Sequence, residues 1–210
     1  MSLQKTIWIG SLLFLLWMIP LRDPLTAAPQ YPGHVPPPVN YVKDNWHVWF
    51  RGRMVEDAVP SSFVDLGEGY GKDLWRVFWF GQPVKEADAS SFKILGNGYA
   101  RDTWRVFWEG RPVEDADASS VVILGDGYAR DSWRVFWCGQ PVDDASALSF
   151  KLLGDGYACD PWRVFWCGKP VDGADVNSFR LLGRGYARDS WKVWFRGREI
   201  SGAPAFDGQP

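Results

Sequence analysis

Between residues 41 and 200, short stretches of the chain alternate apolar and polar side chains with a period of two. Around Trp104, the indole shares one side of an extended chain with Val106 and Trp108, while Phe107 falls on the other side. A period of two, with aromatic and β-branched residues, predicts short half-buried β-strands. The pattern predicts that tryptophans of this kind are largely buried.

Turn residues separate these strands. Glu109-Gly110 predicts a two-residue hairpin turn, since glycine readily adopts positive φ. Pro112-Val113 predicts a short or edge strand, because proline cannot donate to a ladder. The stretch 88–91 is typical of a capped helical turn, and a further strand over 92–95 is interrupted by Gly96-Asn97-Gly98. No long helix is predicted after residue 28.

The whole pattern repeats every 29 residues without insertions, and six copies are recognisable. The sixth copy is truncated after Ile200. An aspartate, a tryptophan and a tyrosine recur in each copy: Asp44, Asp73, Asp102, Asp131, Asp160 and Asp189; Trp46, Trp75, Trp104, Trp133, Trp162 and Trp191; Tyr41, Tyr70, Tyr99, Tyr128, Tyr157 and Tyr186.

Repeats of this length bury their apolar faces by stacking on their neighbours. The predicted fold is therefore all-β, with tandem 29-residue repeats forming a β-solenoid or an extended β-hairpin meander. The alternative is a closed β-propeller-like array. It is disfavoured because four-stranded blades usually need about 40 residues or more.

Three regions follow along the chain. Residues 1–27 are predicted to be a signal peptide or an N-terminal anchor, because Lys5 precedes an apolar run over 6–21 that small residues follow. Residues 28–40 form a proline-rich spacer, and 41–210 form the repeat domain. We expect export to the periplasm, the cell envelope or the medium. The alternative is a membrane-anchored form, with membrane contact only through residues 6–21.

The net charge of the chain bears on the class of partner. Lys and Arg total 23 against 25 Asp and Glu, a net charge of −2, so no basic surface favours nucleic acid. A basic residue follows each tryptophan in five copies, and these positions predict a solvated, charge-paired face opposite the tryptophans. They are Arg76, Arg105, Arg134, Arg163 and Lys192.

The three cysteines are Cys138, Cys159 and Cys167. Cys138 and Cys167 occupy the same position in successive copies and form a candidate disulfide, provided that equivalent strands are neighbours in one sheet. Cys159 would then be left unpaired. The alternative is three free thiols. Three cysteines do not make a zinc site of the usual composition.

The recurring aspartate is predicted to be a turn residue whose carboxylate accepts local backbone N–H bonds. The alternative is calcium, suggested by Gly-Asp-Gly at 125–127 and 154–156, although Arg184 stands at the equivalent position of the last copy. The recurring tryptophans are predicted to form a core ladder. Their alternative is an exposed row that binds glycan or peptidoglycan.

The repeat resembles the DKNYY repeat family. The residues that carry the resemblance are Asp102–Trp108, then Gly110–Val113 and Ala116-Asp117, together with Ser91-Phe92 and Leu95. The resemblance covers residues 41–200. It implies the β-rich repeat architecture and export, and it carries no activity or catalytic residue over to this chain.

Catalysis lacks candidate residues, because the only histidines are His34 and His47 and no cysteine has a histidine partner in the pattern. We therefore expect no enzyme activity, no cofactor and no metal. The sequence predicts an exported non-catalytic repeat scaffold or protein-binding array of the cell envelope. The alternative is a carbohydrate- or peptidoglycan-binding module that uses exposed tryptophan rows. The corresponding partners are an envelope protein or a glycan.

Overall fold

A computed structural model describes residues 41–200. The predicted signal or anchor, the proline-rich spacer and residues 201–210 lie outside this range. Within it every regular element is a β-strand and no helix occurs, which confirms the all-β prediction. In chain order the strands are β1 Tyr41–Lys43, β2 Val48–Phe50, β3 Arg53–Met54, β4 Val64–Gly67, β5 Tyr70–Lys72, β6 Val77–Trp79, β7 Gln82–Pro83, β8 Lys93–Gly96, β9 Tyr99–Arg101, β10 Val106–Trp108, β11 Arg111–Pro112, β12 Val122–Gly125, β13 Tyr128–Arg130, β14 Val135–Trp137, β15 Gln140–Pro141, β16 Lys151–Gly154, β17 Tyr157–Cys159, β18 Val164–Trp166, β19 Lys169–Pro170, β20 Arg180–Gly183, β21 Tyr186–Arg188, β22 Val193–Phe195 and β23 Arg198–Glu199.

Each copy folds into its own antiparallel meander, and we number the copies by these sheets. Copy 1 contributes β1 to β3, and copies 2 to 6 contribute four strands each. In copy 3, for example, Phe107 pairs with Ala100 on one side and with Pro112 on the other. Over residues 41–200 the strands of one copy do not pair with those of the next. The structure is thus the predicted repeat of β-hairpins.

The hairpin turns follow the glycine pattern. At Glu109-Gly110 both residues have positive φ, 46° and 73°, as a type I′ turn requires. Asn97-Gly98 has the same conformation, with φ of 56° and 80°. The stretch 88–91 forms an isolated turn rather than a helix, and the Asp88 carboxylate accepts a hydrogen bond from the Ser90 N–H at 3.0 Å.

The hydrophobic core lies between successive sheets. In one cluster, Tyr99, Val106 and Val113 of copy 3 pack with Ala129 and Phe136 of copy 4. The next residue along β10, Phe107, packs instead against the core side chains of copy 2. The strand is therefore buried on both faces, because each sheet lies between its two neighbours.

Buried tyrosine hydroxyls tie each copy to the next. The Tyr99 hydroxyl donates to the Gly127 carbonyl at 3.0 Å and accepts from the Gly139 N–H at 3.0 Å, and both glycines belong to turns of copy 4. Burial raises the pKa of the Tyr99 hydroxyl well above its ordinary value, so it stays protonated and able to donate. The equivalent bonds join Tyr41 to Gly69 and Gly81, Tyr70 to Gly98 and Gly110, Tyr128 to Gly156 and Gly168, and Tyr157 to Gly185 and Gly197.

The array is open. Tyr186, the last member of the tyrosine series, is 43 % exposed, whereas its five equivalents are at most 9 % exposed. At the other end Val42 is 64 % exposed, while its equivalents Ala100 and Ala129 are fully buried. Within residues 41–200, the outer sheet faces of copies 1 and 6 are therefore not covered by another copy, and this part of the chain does not form the closed propeller-like alternative.

Candidate functional site: the exposed tryptophan row

The prediction that the recurring tryptophans are buried is wrong. Trp104, Trp133 and Trp162 are 75 %, 80 % and 79 % exposed. The strand that was expected to include Trp104 begins only at Val106, so Trp104 lies on a bend outside the sheet. The same exposure holds for all six, which we call the tryptophan row: Trp46, Trp75, Trp104, Trp133, Trp162 and Trp191.

An aspartate holds each bend, and in copies 2 to 6 this aspartate is buried. Asp102 Oδ1 accepts from the N–H groups of Trp104 and Arg105, both at 2.7 Å, and Oδ2 accepts from the Asp88 N–H of the preceding copy at 2.9 Å. This confirms the turn role predicted for the aspartate, and it adds a contact between copies. At the exposed first copy, the N–H groups of Trp46 and His47 lower the pKa of Asp44. The backbone beneath each indole is thus fixed.

The calcium alternative gains no geometric support. Asp131 and Asp160 already use both carboxylate oxygens to accept backbone N–H bonds. Asp126, in the Gly-Asp-Gly turn, accepts from the Gly156 N–H at 3.1 Å. Over residues 41–200 no three His, Cys, Asp or Glu side chains gather as metal ligands would.

Basic residues next to the row form ion pairs with the preceding copy, which confirms the charge-paired surface. Arg105 lies 2.8 Å from Glu86, Arg134 lies 3.0 Å from Asp115, and their partners are well exposed. In the last copy Lys192 instead pairs with Glu199 at 2.8 Å. These acidic partners recur 19 residues before each arginine. That spacing is the sequence signal that would have identified them.

The expected placement of the basic residues opposite the tryptophans is wrong for Arg163. Trp162 and Arg163 line the same open pocket of ≈ 320 Å³, together with Asp144 and the segment 170–174. An aromatic face, a guanidinium and a carboxylate are thus available to one ligand. Such a combination offers apolar contact, hydrogen-bond donors and hydrogen-bond acceptors side by side.

The three cysteines are free thiols in the structure. Cys138 and Cys167 occupy the first position of two type I′ turns, with φ of 49° and 47°. They belong to separate sheets, so the premise of neighbouring strands behind the candidate disulfide does not hold. Burial raises the pKa of the Cys138 thiol to about 11 and that of Cys167 to about 12. Both thiols are therefore protonated and weakly nucleophilic near neutral pH.

Comparison with known proteins adds no relative. No family model matches the chain, and no significant match exists among the curated proteins or the solved structures. The resemblance to the DKNYY repeat family therefore has no support from these comparisons and stays a prediction. Nowhere in residues 41–200 is there a helix long and apolar enough to cross a membrane. Fold and site define an open, all-β repeat array with a row of exposed tryptophans.

Proposed function

We propose that this protein is an exported, non-catalytic binding array whose tryptophan row binds an extended glycan chain. The observation that supports the proposal is the exposure of the same large aromatic residue in all six copies, between 73 % and 81 %. Repeated exposed apolar surface of this kind is a mark of binding sites.

The stability of the fold does not explain why tryptophan recurs at the six positions of the row. A side chain that remains about three-quarters exposed removes little apolar area from water, so it contributes little hydrophobic stabilisation. The adjoining bend is held by the aspartate through backbone N–H groups, which any residue other than proline would supply. A polar residue would satisfy the fold equally well at these positions.

The exposed indoles and the polar groups beside them suit a flat ligand with a repeating structure. A sugar ring presents an apolar face to an indole and hydroxyl groups around its rim. Beside Trp162, Arg163 and Asp144 form an ion pair of 2.6 Å whose atoms can hydrogen-bond such hydroxyls. Because the Asp160 carboxylate accepts from the backbone N–H groups of Trp162 and Arg163, at 2.8 Å each, little backbone conformational entropy is lost on binding.

Repetition strengthens weak contacts. Each stacking contact alone is weak, but six sites on one molecule act on the same polymer, and linked sites raise avidity by about 100-fold to 10,000-fold. A polymeric glycan offers equivalent rings along its length. We therefore expect strong retention on long chains and weak binding of short oligosaccharides.

The test is sedimentation of the full chain with insoluble cellulose, chitin and peptidoglycan sacculi, followed by competition with soluble fragments. We expect retention on at least one of these glycans. Trp104→Ala should weaken retention by about 10-fold, and a double variant with Trp133→Ala should weaken it further. Neither variant should change stability by more than about 0.5 kcal/mol, because both side chains are exposed.

Leu148→Ala is the matched control, because Leu148 is 86 % exposed but lies outside the row. It should bind as the unmodified chain does. Retention that is unchanged in the tryptophan variants refutes glycan stacking. Retention that requires the protein component of an envelope preparation, and is lost on protease treatment, assigns the row to a protein ligand instead.

A further inference from the structure

The contact between successive copies is built from two different halves. The leading half, from copy n, supplies the tyrosine and two β-branched side chains, for example Tyr157, Val164 and Val171. The following half, from copy n+1, supplies two apolar side chains, here Ala187 and Trp194, and the turn N–H that binds the tyrosine hydroxyl. This contact occurs five times between the six copies.

Within residues 41–200, no further copy covers these halves at the two ends of the array. At the C-terminal end Tyr186, Val193 and Ile200 form the leading half, which we call the tail face. Tyr186 is 43 % and Ile200 36 % exposed, although every equivalent of Ile200 in the interior copies is buried. Over residues 41–200 the Tyr186 hydroxyl binds no glycine turn of a following copy, unlike the other five tyrosines.

At the N-terminal end Val42, Trp49 and Gly52 form the following half, which we call the head face. Trp49 is equivalent to Trp194, which is 2 % exposed where copy 6 meets copy 5. No atom lies within 4 Å of a Cβ built on Gly52, whereas the same position on Gly81 lies 3.2 Å from Phe50. Among the residues that the structure describes, the turn at Gly52 therefore has no aromatic neighbour like the one that covers each of its equivalents.

We propose that the tail face of one molecule binds the head face of a second copy of this chain. The occupant follows from continuity with the internal contact, since a tail meeting a head repeats the arrangement seen five times within the chain. Tyr186 then binds the glycine turn of the neighbour, and Trp49 of the neighbour covers Tyr186, Val193 and Ile200. Such a contact joins unlike surfaces, so it extends in one direction and does not close at two molecules.

Two features make this contact weaker than the internal ones. Val42 stands where the interior copies have Gly71 or an alanine, so its larger side chain has to be accommodated. Arg51 lies 5.4 Å from the centre of the Phe80 ring at the equivalent place in the following copy. By the same geometry, Arg196 of one molecule meets Arg51 of the next, and the like charges repel. Salt screens this repulsion and favours association.

The experiment is sedimentation velocity of the full chain from about 1 µM to about 1 mM, the range of weak to moderate dissociation constants. We expect species larger than a monomer that grow with concentration and with ionic strength. Val42→Asp blocks the head and Ile200→Asp blocks the tail, because each buries an unpaired carboxylate at the contact. Each alone should weaken association by about 100-fold or more.

An equimolar mixture of the two variants provides the decisive observation. The Val42→Asp chain keeps a free tail and the Ile200→Asp chain keeps a free head, so the mixture should form one-to-one dimers and nothing longer. Val122→Asp is the matched control, because Val122 is a half-exposed strand residue of an interior copy. It should associate as the unmodified chain does.

Three outcomes overturn the proposal. The first is a monomer at all concentrations. The second is association that neither end variant weakens, as expected if residues 6–21 held the molecules together. The third is association that falls as salt is added. None of these outcomes depends on whether the tryptophan row binds a glycan, since the faces at the two ends are separate from that row.

Discussion

Replacing Tyr99 with phenylalanine removes one oxygen atom and two hydrogen bonds from the contact between copies 3 and 4. The ring can keep its packing, but the Gly139 N–H loses its acceptor at 3.0 Å. The Gly127 carbonyl loses the hydroxyl donor at 3.0 Å and keeps the Cys138 N–H at 2.8 Å. Gly139 is buried. An unsatisfied buried donor or acceptor costs about 1–3 kcal/mol. Because only the Gly139 N–H is left without a partner, we expect Tyr99→Phe to lower the free energy of unfolding by about 1–3 kcal/mol.

The assay is urea denaturation followed by circular dichroism and tryptophan fluorescence. The matched control is Tyr186→Phe, because Tyr186 is the one member of the series without a following copy in residues 41–200. Being exposed, it should change stability by less than about 0.5 kcal/mol in monomeric protein. The slope of the free energy against urea should also fall for Tyr99→Phe if the array then unfolds in two parts. Equal effects of the two substitutions would refute the role of the hydroxyl as an inter-copy tie.

Three further predictions concern stability. Gly139→Ala should lower the free energy of unfolding by about 1–3 kcal/mol more than Gly52→Ala does. Both glycines have positive φ, but only a Cβ on Gly139 would lie 2.8 Å from the Trp108 Cβ; equal effects of the two substitutions on thermal unfolding would contradict this. Cys159→Arg should raise the free energy of unfolding by about 1 kcal/mol. Arg101 and Arg130 donate to the carbonyls of Ala118 and Ala147, and an arginine in place of Cys159 would donate to the equivalent carbonyl; an unchanged melting temperature would exclude that bond. Burial raises the pKa of the five inter-copy tyrosines, to about 12 for Tyr41, so the stability they contribute is present below about pH 10 and lost as pH rises through the folded pKa. Melting temperatures from pH 8 to 12 check this, and a flat profile above pH 10 would contradict it.

The strands and turns could be predicted from the sequence because they depend on local chemistry. The strand Val106–Trp108 and the turn at Glu109-Gly110 lie where alternation and glycine placed them. The turn role of the aspartate is predictable for the same reason, since Asp102 Oδ1 accepts from N–H groups two and three residues away. Short-range hydrogen bonding of this kind leaves a direct trace in residue order.

Burial could not be predicted from the same pattern. Val106 and Phe107 are adjacent and both almost fully buried, because Val106 packs against the following copy and Phe107 against the preceding one. A three-residue strand covered on both faces has no alternation that identifies an outer side. The alternation predicts that Trp104 belongs to that strand. The Trp104 N–H instead donates to the Asp102 carboxylate, and the strand begins only at Val106. The candidate site was therefore mistaken for core, and only its glycan alternative anticipated exposure.

The absence of insertions between copies makes the length of the molecule a modular quantity. Removing the 29 residues from 93 to 121 would place copy 4 directly after copy 2, and the side chains that then meet already have the required identities: Phe92 opposite Phe136, and Tyr70 beside Gly127 and Gly139. A shorter or a longer chain therefore uses the same contact surfaces between copies. Each unit gained or lost would change the number of tryptophans in the row by one. Duplication or deletion of one unit would therefore change the length of the array and leave every remaining contact between copies unchanged.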